Sequence, residues 1–206
     1  MTGPGVAFHD RRVAAWQHVV YGSRTWGEVT GITLHQTACL LGERPARWDS
    51  VGCHVGVTRG GQVIFLHDFD RKVVHGNGWN TRCVGIEMDG LYAGLAGDLR
   101  TVWDDPSTPW REQPMKPTPT LIEASCAVVR WICERVAENG GRVKFLVAHR
   151  QSSRDRRNDP GEELWKAVGL KMQEELGLAH GDSLDFHIGG YSIPEQWDPR
   201  CIGVPY

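Results

Sequence analysis

The sequence predicts a single-domain α/β fold in which a mixed central β-sheet is flanked by helices. Short runs of β-favouring apolar residues, around Val29 to Leu34, Val51 to Leu66, Cys83 to Met88 and Val143 to Ala148, recur between turn-forming clusters. They alternate with longer stretches whose apolar residues repeat at helical spacing, most clearly Thr120 to Ala137 and Glu162 to Leu176. Two such periods along one chain are the pattern of a sheet covered by helices. At 206 residues the chain is long enough for one domain with a sizeable core.

Taken in order, Asp10 to Val20 has helical periodicity, and a strand ending in His35 follows it. That strand breaks into a polar turn at Gln36-Thr37. Val51 to Leu66 reads as a β-hairpin turning at Arg59-Gly60-Gly61, with Val55, Val57, Val63 and Phe65 alternating on one face. A further strand runs from Cys83 to Met88. Thr120 to Ala137 is an amphipathic helix stopped by Asn139-Gly140-Gly141, and a strand then leads to His149. The helix from Glu162 to Leu176 completes the domain, which is expected to span residues 1–176.

Two stretches lie outside this plan. Residues 91–119 hold Pro106, Pro109, Pro114, Pro117 and Pro119 with Trp103 and Trp110, and read as a loop inserted beside the functional site. Residues 177–206, with Phe186, Tyr191 and Trp197, form an aromatic extension expected to pack on the same domain. Nine tryptophans suit sugar faces, but Trp16, Trp131 and Trp165 sit in helical patterns and are expected in the core.

Composition narrows the function classes. A formal net charge of −2 offers no basic footprint for nucleic acid, so no nucleic-acid partner is expected. No run approaches the ~20 apolar residues that span a bilayer, so no membrane association is expected. The opening residues Met1 to Asp10 lack the basic-then-apolar layout of a secretory signal, which predicts cytoplasmic synthesis. Six cysteines show no CxxC spacing, against a cysteine-held zinc knuckle. Cys126 and Cys133 fit small core residues, and a disulfide is not expected without an export signal. The chain is expected to be a monomer.

The chemistry resides in two distant histidines and a carboxylate. His35 and His149 each stand at the polar end of an apolar, strand-like run, so both rings can emerge at one edge of a single sheet. The polar loop Gln151 to Asn158 after His149 is long enough to double back and deliver Asp159 to the same place. Asp159 alone also fits a helix N-cap, with Pro160 at the first helical position. Together, two imidazoles and one carboxylate form the ligand set of a catalytic zinc site that leaves a fourth position for water. The chain reads as a zinc hydrolase.

Several blocks resemble, in order, those of the zinc-dependent N-acetylmuramoyl-L-alanine amidases, the type 2 group that also contains T7-type phage lysozymes and peptidoglycan recognition proteins. The blocks are Leu34-His35-Gln36-Thr37-Ala38, Cys53-His54-Val55-Gly56-Val57 leading to Gly60-Gly61-Gln62-Val63, Val74-His75-Gly76-Asn77, Val84-Gly85-Ile86-Glu87, and Ala148-His149 with Asn158-Asp159-Pro160-Gly161. The resemblance covers roughly residues 29–168 and implies the fold of that group.

The resemblance also implies roles. His35, His149 and Asp159 match the zinc ligands, with Asp in third place as in the recycling-type branch. Glu87 matches the general base. Arg157 falls where many members carry a lysine that stabilises the oxyanion, and its planar charge is not equivalent to an ammonium. His75 matches a histidine of the substrate groove, with Asn77 and Trp79 beside it as further substrate contacts. Cys53 stands where several members have a catalytic tyrosine, which puts it among the expected substrate contacts and shifts the expected mechanism toward Glu87. The implied activity is zinc-dependent cleavage of the bond between N-acetylmuramic acid and L-alanine, with peptidoglycan or a muropeptide as partner.

Three readings stay open on the sequence. The first is a wall-cutting amidase, an endolysin reaching its substrate through a holin pore or a secretion system, or a cytoplasmic muropeptide-recycling enzyme. The second is a non-catalytic peptidoglycan-binding recognition module. The third is a zinc hydrolase of other architecture with the same ligand types.

Overall fold

The computed structural model describes residues 6–103, 113–180 and 189–206. A six-stranded sheet forms the centre, built from β1 (Phe8–Asp10), β3 (Gly31–Gln36), β4 (Val55–Val57), β5 (Val63–Phe65), β7 (Cys83–Met88) and β8 (Phe145–Ala148). Their spatial order is β1-β5-β4-β7-β3-β8. All neighbours run parallel except the β4-β5 hairpin, so the sheet is mixed as expected. A separate ribbon pairs β2 (Val20–Ser23) antiparallel with β6 (Arg71–Val73).

Alternation along the strands sorts side chains between the two faces. Ile32, Leu34, Val55, Val57, Val63, Phe65, Val84, Ile86, Met88, Leu146 and Ala148 share one buried cluster with the apolar stripe of helix α1 (Pro119–Glu138). In α1 that stripe is Leu121, Ala124, Val128, Ile132 and Val136, at three- and four-residue spacing. Thr118 caps the helix by accepting from the Leu121 amide, and Pro119 takes the first turn where a missing N–H costs nothing. A second helical segment runs from α2 (Glu162–Leu164) through a π-helical stretch, Trp165–Leu170, to α3 (Lys171–Leu176). Its Leu164, Trp165, Val168 and Met172 join the same core. Truncating a core residue such as Ile132 to Ala would cost about 2–5 kcal/mol.

The opposite face carries Thr33, His35, Gly85 and Glu87, with a small cluster of Trp79, Cys83, Phe145 and Val147. The functional site lies on this face, at the C-terminal ends of the parallel strands, where open parallel sheets bind ligands.

The segment Asp10 to Val20 is not the helix its periodicity predicts. Sheet partners claim both of its ends: Phe8–Asp10 pairs with Val63–Phe65, and Val20–Ser23 with Arg71–Val73. Only tight turns fit between them. Trp16, expected in the core, lies in these turns with half its surface exposed, its ring beside that of His18. Trp131 and Trp165 are buried as expected.

Within the stretch after Met88, Leu91, Tyr92 and Ala93 are buried, and the loop closes on itself through the Gly94 amide, which donates to the Thr101 carbonyl. In the last stretch, Ile193, Trp197 and Cys201 join the main core, and Trp197 Nε1 donates to the Gly94 carbonyl at 2.5 Å. Pro106, Pro109, Trp110 and Phe186 lie outside the described residues. Among the described residues no disulfide joins any of the six cysteines. Among the described residues no helix is long and apolar enough to cross a membrane.

Candidate metal centre

Strand register begins the site. β3 and β7 pair with His35 directly opposite Glu87, and His35 Nδ1 stands 3.9 Å from Glu87 Oε1. β8, the other neighbour of β3, ends at Ala148, and the chain turns at once into a 3-10 turn that starts with His149. Gln151 holds that turn by accepting from the Ala148 amide at 2.8 Å. The following loop doubles back, closed by the Arg150 amide donating to the Asp159 carbonyl at 3.0 Å.

Three ligand-type atoms converge as a result. His35 Nδ1 and His149 Nδ1 are 2.9 Å apart, and Asp159 Oδ2 is 3.0 Å from His149 Nδ1 and 3.9 Å from His35 Nδ1. All three residues are buried. Zinc bonds of about 2.0–2.2 Å at tetrahedral angles place ligand atoms roughly 3.3 Å apart, which these separations bracket.

Hydrogen bonding fixes which ring nitrogen faces the site. The Cys83 carbonyl can only accept, so His75 Nε2 donates to it at 3.2 Å and His75 Nδ1 is left as an acceptor. His35 Nε2 then donates to His75 Nδ1 at 3.0 Å, and the neutral His35 ring turns a bare Nδ1 lone pair toward His149 and Asp159. His149 points its Nδ1 at the same spot, while its Nε2 is buried without a hydrogen-bond partner among the described residues. The donor set, the converging atoms and the tautomer all fit a divalent cation of zinc type.

Asp159 is not a helix cap. The helix begins at Glu162 behind Gly161, and the Asp159 carboxylate instead accepts from the Gln36 amide at 2.9 Å through Oδ1. Gln36 is a residue to which the sequence assigned no role. Its side chain donates to the carbonyls of Tyr92, Asn158 and Pro160 and accepts from the Tyr92 amide, stapling the ligand loop to the strand that carries His35. Its neighbour status to His35 was legible in the sequence; the loop it reaches was not.

Electrostatics follow from burial. His35 titrates well below its ordinary value because burial penalises its charge and the His149 and His75 rings add to that. His75 is pushed down to about 3, chiefly by burial. Glu87 is driven well above the usual carboxylate range, first by burial and then by the charge of Asp159, with Arg156 opposing. A recessed carboxyl with a raised proton affinity beside the ligand atoms is equipped to take and return a proton.

The remaining residues singled out by the sequence fall in different places. Arg157 does not turn toward the ligands: its guanidinium donates to the Tyr206 carbonyl and lies over the Tyr206 and Tyr191 rings. Arg156, which the sequence did not single out, acts electrostatically on both Glu87 and His35 and rests 4.5 Å over the Trp103 ring. Adjacent side chains in a 3-10 turn diverge by about 120°, so spacing alone could not choose between these two arginines. Trp79 lines no groove; it is 2% exposed, packed against Phe145 inside the cluster under the sheet. Cys53 is also fully buried, with its thiol pushed up by burial and by the Glu87 charge, which removes it from direct substrate contact. His75 lies behind His35 rather than on an open surface. Asn77 is exposed, at a positive φ of 53°, one residue beyond the Gly76 backbone that passes the His35 ring.

A sequence model described as N-acetylmuramoyl-L-alanine amidase matches residues 25–162. The chain belongs to this amidase family. The matched span contains His35, Glu87, His149 and Asp159, so the converging atoms lie within the family's own region. Solved structures share the fold that the amidase resemblance implied. The endolysin N-acetylmuramoyl-L-alanine amidase LysCS from Clostridium intestinale URNW superposes with a TM-score of 0.56 at 13% identity, covering 86% of this chain and 99% of that one. Drosophila peptidoglycan recognition protein LB gives 0.57 at 13% identity, covering 85% and 98%. Peptidoglycan recognition protein LE, solved in complex with tracheal cytotoxin, a monomeric diaminopimelic acid-type peptidoglycan, gives 0.54 at 15% identity, covering 84% and 96%. No protein of curated function matches the sequence.

Proposed function

We propose that this chain is a zinc-dependent amidase that hydrolyses the bond between the lactyl group of N-acetylmuramic acid and L-alanine in peptidoglycan. The observation that carries the reading is the convergence of His35 Nδ1, His149 Nδ1 and Asp159 Oδ2 beside the recessed Glu87 carboxyl. Family membership favours the same bond.

His35, His149 and Asp159 would hold the zinc ion. When bound, zinc supplies Lewis acidity toward a water molecule and the amide carbonyl oxygen. Glu87 accepts the proton that the water loses as its oxygen attacks the carbonyl carbon. It then returns that proton to the nitrogen as the C–N bond breaks, leaving a lactyl carboxylate and the free amino group of L-alanine. Arg156, within electrostatic reach of Glu87 and His35, offsets the negative charge that builds on the carbonyl oxygen. This gives Arg156 the part that the resemblance had assigned to Arg157.

Polymeric wall is the substrate we assign, in the manner of an endolysin, because the Tyr92 loop and the Trp197 stretch build extra surface beside Asn158 and the ligand loop. A complete ligand set with Glu87 in place favours cutting over the holding of fragments alone. Purified sacculi and soluble anhydro-muropeptides are to be incubated in parallel with the zinc-loaded protein, and new L-alanine amino groups counted. Release from sacculi is expected. Release from the soluble fragments only would make the protein a recycling enzyme, and binding with no release from either would make it a recognition module.

A further inference from the structure

We propose that His75 is a positioning residue for the metal centre: it fixes the His35 tautomer through a relay that ends on the Cys83 carbonyl. This rests on the reading of His35 as a metal ligand, and it gives His75 a role different from the groove contact implied by family resemblance.

The relay has one direction. Cys83 O accepts from His75 Nε2, His75 Nδ1 accepts from His35 Nε2, and His35 Nδ1 is left bare toward His149 and Asp159. Had His75 been replaced by a group without an acceptor, a neutral His35 could carry its proton on either nitrogen, and one of the two tautomers cannot ligate through Nδ1.

The surroundings hold the His75 ring in the place this requires. A Cβ at Gly85 would sit 2.6 Å from His75 Cγ and Nδ1, so the ring can lie on β7 only because that position is glycine. The Gly85 amide donates to His54 Nδ1, and the His54 ring stands against His75 at 5.4 Å between centroids. Asn80 Oδ1 accepts from the amides of His75 and Gly76, at 3.0 and 2.6 Å, and pins the backbone from which the ring projects. Three elements therefore converge on a ring that is 8% exposed and faces a ligand rather than solvent. Outer partners that orient a metal-bound imidazole are worth about 10–100-fold in metal affinity.

Two variants and one spectrum test this without reference to turnover. His75→Phe keeps the ring's bulk and removes the acceptor; His75→Asn keeps an acceptor near the Nδ1 position. Competition with a chromophoric chelator should show zinc affinity falling about 10–100-fold in His75→Phe and largely restored in His75→Asn. In the zinc-free native protein, 15N shifts of the His35 ring should show protonated Nε2 and unprotonated Nδ1. A protonated Nδ1 there would overturn the proposal even if neither variant folds, and so would native zinc affinity in His75→Phe with weakened muropeptide binding. If the protein holds no zinc at all the amidase reading fails, while the native spectrum still decides the relay.

Discussion

His35 on β3 faces Glu87 on β7 in direct register, with His35 Nδ1 3.9 Å from Glu87 Oε1. The imidazole and the carboxyl are thus set at a fixed separation by strand pairing, the least adjustable feature of the fold. On the proposed reading, one side chain holds the metal and the other moves a proton.

Replacing Glu87 by Gln should leave metal content unchanged and lower kcat by about 10²–10⁴-fold, the usual worth of a positioned acid-base group. Zinc content and L-alanine release, measured on the same preparation, check this. Retained turnover would take Glu87 out of the mechanism.

Gln36→Ala removes the donors that three buried carbonyls share and the acceptor of the Tyr92 amide. Stability should fall by about 1–3 kcal/mol for the orphaned groups, and zinc affinity by about 10–100-fold as the Asp159 loop loosens. Urea unfolding and chelator competition give the two numbers. Loss of stability alone would make Gln36 a fold residue with no bearing on the metal.

The two arginines should separate cleanly. Arg156→Met is expected to lower kcat by about 10²–10³-fold with zinc content intact, as loss of one oxyanion partner does. Arg157→Met should leave turnover near the native level and lower Tm, because its guanidinium packs on Tyr206 and Tyr191. The reverse pattern of kcat would return the role to Arg157.

Acid should weaken the fold through His54. Burial and the Arg24 charge hold its imidazole well below the ordinary 6.5, with the His75 ring adding to them. The unfolded chain therefore takes up a proton that the native chain refuses, so this contribution is intact above about pH 6.5 and is lost as pH falls below it. His54→Asn can still accept from the Gly85 amide, and it should flatten the acid slope by up to about 1.4 kcal/mol per pH unit. Urea midpoints of both proteins across the acid range test this; parallel curves would show that His54 takes up its proton equally in the folded and unfolded states.

How far the sequence spoke depended on whether a property was local. The strands bearing His35 and Glu87 and the strand leading to His149 were legible because their apolar runs are long and bounded by turns, and α1 because Thr118, Pro119 and Gly140 punctuate it. The Asp10 to Val20 segment was misread because pairing with β5 and β6, distant in sequence, overrides its helical period. Trp79 was placed in a groove by its neighbours in the chain, whereas its ring turns under the sheet to Phe145. The three candidate ligands, His35, His149 and Asp159, were singled out by residue type and spacing, and the fold brings them together. What orients them, Gln36 reaching residues 158–160 and His75 reaching Cys83, depends on contacts across the sheet that no linear pattern encodes.

Diffraction from zinc-soaked crystals at energies on either side of the zinc absorption edge tests the central claim most directly. The expected result is one strong anomalous peak bonded to His35 Nδ1, His149 Nδ1 and Asp159 Oδ2. A map with no peak there, or with the ion held by other side chains, would contradict it.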